Sequence, residues 1–318
     1  YDKQVMFWGD IILEQPELMP ELPDDLICLN WEYSGEPDEE KVRIVYEAGI
    51  SQYLCPGVSG WNHLMNDLDK AFSNIEKMVS YGRKYGALGI LNTDWGDYGH
   101  INFLGNSMPG MVFAAALSWN PETIERFPQI QDLAQRYREL DRKISIMELN
   151  DSEGEIVTLL RELARQQLIN WADLVHWKEG KYKETSLEID AEGLFSGISG
   201  KELLAAYNNS IQLADRILTI ASKVGVKNKL DYQEFYVAAQ GIALLNILVL
   251  FIKKNDLKEK GLDIPICACE LASRLEYWLA DFKNLWRKRN KESELKRIEE
   301  MISVLTGYLR AKGGIDCV

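Results

Sequence analysis

The chain has 318 residues, 46% of them hydrophobic and 27% charged, which leaves room for one large or two medium domains. Its formal charge of -13 argues against nucleic acid and anionic membranes as partners, because both would repel it. The five cysteines (Cys28, Cys55, Cys267, Cys269 and Cys317) are odd in number and two sit in apolar runs. They read as reduced, buried thiols in a cytoplasmic protein rather than a disulfide framework.

In chain order, Val5 to Trp8 is a short β-prone run ending in Gly9 and Asp10. Prolines at 16, 20 and 23 limit the next segment to a helical turn or two. Leu26 to Trp31 is a second apolar run, followed by Glu32 and Tyr33. Asp38 to Ala48 has helical spacing and ends at Gly49. Gln52 to Cys55 is a third strand, broken by Pro56 and Gly57. Trp61, Asn62 and His63 then open a predicted amphipathic helix to about Tyr85, with Leu64, Leu68, Phe72, Ile75 and Met78 on its apolar face. Gly86 caps it. Ala87 to His100 reads ALGILNTDWGDYGH, a buried strand whose end is crowded with polar and aromatic groups.

Four strands with intervening helices in about 100 residues imply a parallel sheet with right-handed crossovers. After Met108 the β-prone runs stop. Met111 to Trp119 reads as a closing helix, and Asn120-Pro121 as a domain boundary. Helical segments follow at roughly 122–145, 152–180, 199–224, 231–254, 264–290 and 291–311. In the fifth, Leu271, Leu275, Trp278, Phe282 and Leu285 form a stripe suited to a core or to a homodimer interface. The longest apolar run, Gly241 to Ile252, is interrupted by Asn246 and reads as a buried helix rather than a bilayer span.

Trp8, Trp31 and Trp95 each end a strand, and Trp61 follows another. One pole of a parallel barrel is a single surface, so four such residues point to an aromatic-walled pocket, although each also fits a core position. An indole packs on the C–H face of a pyranose, and a carboxylate such as Asp97 accepts hydrogen bonds from its hydroxyls. Asp10 and Glu32 fit helix-capping or solvated roles equally well. A metal site would need Asp94, Asp97 and His100 to converge, and the glycines at 96 and 99 break any regular spacing; no metal or cofactor is expected. No nucleophile elbow and no glycine-rich phosphate loop occurs.

With these residues in place, the chain resembles the C-terminal half of the catalytic barrel of family 20 β-N-acetylhexosaminidases, in the bacterial branch with a helical domain after the barrel. The family's tryptophan-x-Glu after the fifth strand corresponds to Trp8-Gly9-Asp10, and the tryptophan after the sixth to Trp31. A proline with an aromatic after the seventh corresponds to Pro56 and Trp61, and the tryptophan-x-Glu after the eighth to Trp95-Gly96-Asp97. Two departures stand out. The seventh-strand Tyr and Asp of the family have no literal counterpart, with Trp61, Asn62 and His63 in roughly that place, and the eighth-strand Glu is Asp97.

The resemblance implies α/β plus all-α architecture: residues 1–120 as four β/α units, the C-terminal half of a (β/α)8 TIM barrel, and residues 121–318 as an α-helical domain. It implies an exo-acting hydrolase of terminal N-acetylated amino sugars. In that family an Asp–Glu pair after the fourth strand does the chemistry: the Glu protonates the leaving oxygen, the Asp orients the acetamido group, and the acetamido oxygen attacks the anomeric carbon. That pair, and the missing N-terminal half of the barrel, are expected upstream of Tyr1, so this chain holds no catalytic residue. Its expected substrate-binding residues are Trp8, Trp31, Trp61, Asn62, Trp95 and Asp97. A non-catalytic sugar-binding barrel remnant and a helical dimerisation or scaffold module are the alternatives.

Overall fold

Four short parallel strands form the sheet. In the computed structural model, which describes residues 3–123, 132–185, 188–191 and 193–313, they are β1 (Met6–Trp8), β2 (Ile27–Trp31), β3 (Ser51–Cys55) and β4 (Gly89–Ile90), in the spatial order β1-β2-β3-β4. Phe7 pairs with Cys28, Leu29 with Tyr53 and Leu54 with Ile90, all in parallel register. A bridge from Gly57 to Thr93 carries the last pairing beyond the strand ends. The connections are α1 (Asp10–Glu14) with a 3-10 turn at Pro16–Glu21, then α2 (Glu39–Glu47), then α3 (Leu68–Lys84). After β4 every described element is helical: α4 (Leu104–Trp119), α5 (Leu133–Met147), α6 (Ile156–Ala164), α7 (Trp171–Tyr182), α8 (Gly200–Ala221), α9 (Lys229–Asn255), α10 (Ala268–Arg289) and α11 (Leu295–Gly313), with short 3-10 turns.

The chain divides into two compact units. The first comprises Tyr1–Ser59, Asp67–Trp95 and Ser107–Ile144; the second comprises Gly60–Asn66, Gly96–Asn106 and Ser145–Val318. Asn120-Pro121 thus lies inside the first unit, while two loops that follow strands, 60–66 and 96–106, belong to the helical unit.

In the first unit Ile12, Met19, Cys28 and Val45 form one buried cluster, joined by Phe7, Leu13, Leu22, Ile44 and Ile50. Val42, Leu54 and Met78 form another. The helix expected from Trp61 begins instead at Leu68. Ser59 (φ 52°) and Asn62 (φ 60°) sit in the left-handed region, which stops a right-handed helix from propagating. Asp67 is the true N-cap, its Oδ1 accepting the Lys70 N–H at 3.1 Å. From there Leu68, Phe72, Ile75 and Met78 are buried as the periodicity requires, and Phe72 stacks on Phe113 at 3.9 Å.

The second unit is built around α9. Val226–Asn255 is long and apolar enough to cross a membrane, well beyond the run read from the sequence, but 89% of its most apolar window is buried inside the protein. It packs on α8 and α10, and α10 packs on α11. The stripe Leu271, Leu275, Trp278, Phe282 and Leu285 is buried within the chain, which makes it core rather than a subunit interface. Gly241, inside α9, is explained by Trp278: a Cβ there would lie 2.8 Å from the indole, whose Nε1 donates to the Val237 carbonyl at 2.8 Å. The expected helix at 152–180 is two helices, because Asn170 and Asp173 form a capping box that starts α7 afresh. Cys28 and Cys55 are buried free thiols, but Cys267 is exposed and Cys269 half-buried, so burial holds for only two of these four; Cys317 lies outside the described residues. Burial pushes the Cys28 and Cys55 thiols up to about 12.

Candidate functional site

In the first unit, the ends of β1, β2 and β4 bring four aromatic rings into a row. Trp8, at the end of β1, lies 5.4 Å from the ring of Trp95, tilted at 59°. The Trp95 indole N–H donates to the Tyr33 hydroxyl at 2.6 Å. Tyr33 in turn stacks on Trp31 at 5.0 Å and 25°, and the Trp31 indole N–H reaches Asp10 Oδ1 at 3.5 Å. Parallel strands in register deliver their C-terminal residues to one pole, which is why these rings meet. Trp8 and Trp95 are 38% and 39% exposed and Trp31 is half-buried, so their faces are not consumed by the core.

Polar groups hold this row. Burial pushes the Tyr33 phenol above its ordinary value, against bonds from Thr93 and Trp95 that pull it down. Thr93 Oγ1 also donates to the Pro56 carbonyl at 3.0 Å. Burial opposes ionisation of Glu32, but the Lys41 ammonium at 2.7 Å and the Ser34 and Tyr33 amides outweigh it and hold the carboxyl below its usual range. Glu32 therefore fastens its own loop. Asn74, fully buried on α3, donates to the Glu32 and Ser34 carbonyls at 2.8 Å each and accepts from the Gly57 amide at 3.1 Å. One side chain thus ties the loops after β2 and β3.

The remaining expected residues belong to the second unit. Trp61 is half-buried, and its carbonyl oxygen accepts from His63 Nδ1 at 2.8 Å, placing the imidazole against its own loop. Asn62 is 8% exposed and its Nδ2 donates to Asp97 Oδ2 at 3.2 Å. Its Oδ1 is buried with no hydrogen-bond partner among the described residues. Beyond Asp97, Tyr98 (φ 47°), Gly99 (φ 93°) and His100 (φ 59°) are three successive left-handed residues. Gly96 permits that turn, since a Cβ there would stand 2.4 Å from His100 Nδ1. The His100 ring lies against Trp286 at 5.9 Å. Among the described residues no three His, Cys, Asp or Glu side chains gather as a metal-binding group.

Trp8, Trp31 and Trp95 are thus brought together in the first unit, and Asn62 and Asp97 are paired in the second. Reading the sequence missed Tyr33, Thr93, Asn74 and Trp171. Tyr33 had a visible signal, an aromatic two residues beyond Trp31, whereas the carbonyl-binding role of Asn74 is invisible within an amphipathic helix. A separate cleft of about 540 Å³ in the second unit, lined by Leu218, Tyr232, Tyr236, Leu285, Lys229 and Lys288, contains none of the expected residues. No protein-family model matches the chain, and no curated protein matches it at a significant level.

Proposed function

We propose that these residues are the sugar-holding part of an exo-acting β-N-acetylhexosaminidase, which removes terminal N-acetylated amino sugars from glycans. The observation that carries the reading is the exposed row Trp8–Trp95–Tyr33–Trp31 at the C-terminal ends of successive parallel strands. Indole faces pack against the C–H face of a pyranose, and in the second unit the exposed Asp97 is a carboxylate of the kind that accepts from sugar hydroxyls.

The finer fold that goes with this reading is the second half of a (β/α)8 barrel. Consecutive parallel strands in chain order support it. So do the outer strands, β1 and β4, which each have one neighbour and carry exposed apolar residues: Val5 and Met6 beside one, Leu88 and Leu91 beside the other. Apolar edges of this kind call for further strands to cover them.

The reading assigns the Asp–Glu pair to strands other than these four. Its Glu protonates the leaving oxygen, and the substrate's own acetamido oxygen attacks the anomeric carbon, with the Asp orienting it. Glu32 is bound to Lys41 and Asp97 to Asn62, which suits holding roles for both. General acid catalysis contributes about 10²–10⁴-fold. The 318-residue chain is therefore expected to hydrolyse a nitrophenyl N-acetylglucosaminide no faster than its Trp95→Ala variant. Efficient turnover abolished by Asp10→Asn, Glu32→Gln or Asp97→Asn would transfer the chemistry to this chain and overturn the assignment.

A further inference from the structure

The second unit contains a closed ring of hydrogen bonds around Asp97. Trp171 is the first residue of α7, so its backbone N–H has no acceptor within the helix. That N–H donates to the Asn62 carbonyl at 2.9 Å. Asn62 Nδ2 donates to Asp97 Oδ2 at 3.2 Å. The Trp171 indole N–H donates to the carbonyl of Tyr98, the residue after Asp97, at 3.1 Å. Both N–H groups of one residue, 2% exposed, thus grip the two flanks of the Asn62–Asp97 pair.

The gripped segments carry unusual backbone. Asn62, Tyr98 and His100 are non-glycine residues at positive φ, a conformation that persists only where the surroundings fix it. An indole serving only as core would find any nearby carbonyl. This one bonds to a residue in the left-handed region, next to the carboxylate that the reading above assigns to sugar hydroxyls. The start of α7 is fixed in turn by the Asn170 cap, which accepts the Ala172 N–H at 2.8 Å and donates its own N–H to Asp173 at 3.2 Å.

We propose that Trp171 is a positioning residue that sets the Asp97 carboxylate for hydroxyl recognition. The proposal rests on the sugar-binding reading of Asp97 for its function but not for its geometry. Trp171→Phe keeps an aromatic ring and the backbone N–H while removing the indole donor.

The test is a double-mutant cycle on the 318-residue chain with N-acetylglucosamine as the probe, read by calorimetric titration. Losing one positioning hydrogen bond is expected to weaken binding about fivefold to tenfold in Trp171→Phe. Asp97→Asn is expected to weaken it as well, and the double variant to be no weaker than Asp97→Asn alone. Fully additive losses would mean that the two residues act independently and would overturn the proposal. Amide hydrogen exchange supplies a second readout that needs no sugar. The His100 N–H donates to the Asp97 carbonyl at 2.9 Å, so exchange in residues 96–103 reports on the turn. Acceleration there in Trp171→Phe supports positioning; unchanged exchange overturns it, whatever the chain binds. Absence of sugar binding in the parent chain overturns the function proposed above instead. Should Trp171→Phe fail to fold, Asn170→Ala loosens the same turn without touching the indole. It is expected to speed exchange in residues 96–103 and to weaken sugar binding about twofold, and no change in either overturns the proposal.

Discussion

At the scale of single residues, the site depends on side chains that hold other side chains. Tyr33 accepts the Trp95 indole N–H, so Tyr33→Phe leaves that donor without its partner and lets the ring turn. A net hydrogen bond is worth about 1 kcal/mol, and N-acetylglucosamine affinity is expected to fall about fivefold, as a titration would show. Glu234 gives a prediction on stability. It is 1% exposed, accepts from the Gly105 amide at 2.8 Å and pairs with Arg289 at 3.1 Å, with Asp231 sharing the same guanidinium and Lys288 nearby. Burial pushes its carboxyl from 4.5 up to about 7, against the pull of Arg289 and the Gly105 amide. Between these values the folded chain keeps a proton that the unfolded chain has lost, so this group makes stability fall as pH rises from 4.5 to 7. Glu234→Gln removes that titration, and its melting temperature is expected to depend less steeply on pH in the same window; an unaltered slope would contradict the assignment. Tryptophans at strand ends were legible because position and residue type coincide there. Asn74, Trp171 and Glu234 were not, since their roles depend on loops distant in sequence that only folding brings to them.

Among elements, periodicity gave the four strands within a residue or two and most helices of the second unit. It failed where a side-chain cap restarts the chain. Asp67 and Asn170 each begin a helix inside a stretch whose apolar spacing reads as continuous, and the loops before them take the left-handed or extended conformations that the caps require. The failure at Trp61 has a consequence for the site. In the observed loop, Leu64 and Met65 donate their amides to Gln167 Oε1 at 2.7 and 3.2 Å, which ties it to the segment before α7. The α9–α10 packing leaves no room for a side chain at Gly241. Gly241→Ala drives a methyl group into the Trp278 indole, so a loss of about 1–3 kcal/mol is expected in urea unfolding. Leu248→Ala, at a position with no exposure, is expected to cost about 2–5 kcal/mol.

For the whole molecule, two units with different burdens follow from the sequence. The helical unit buries its longest apolar helix almost completely, whereas the sheet leaves apolar residues beside both outer strands. An uncovered edge favours association with other strands. Sedimentation of the 318-residue chain is expected to show self-association that weakens when Val5 and Leu91 are both replaced by Lys; indifference to those charges would argue that other surfaces cover the edges. The tryptophan row is proposed to hold an N-acetylated amino sugar. Intrinsic tryptophan fluorescence during titration with N-acetylglucosamine tests it most directly, because Trp8, Trp31 and Trp95 are both the reporters and the proposed contacts. A saturable change that glucose does not reproduce, and that disappears in Trp95→Ala, is the predicted result. No saturable change, or one that Trp95→Ala leaves intact, would rule out sugar binding at this row.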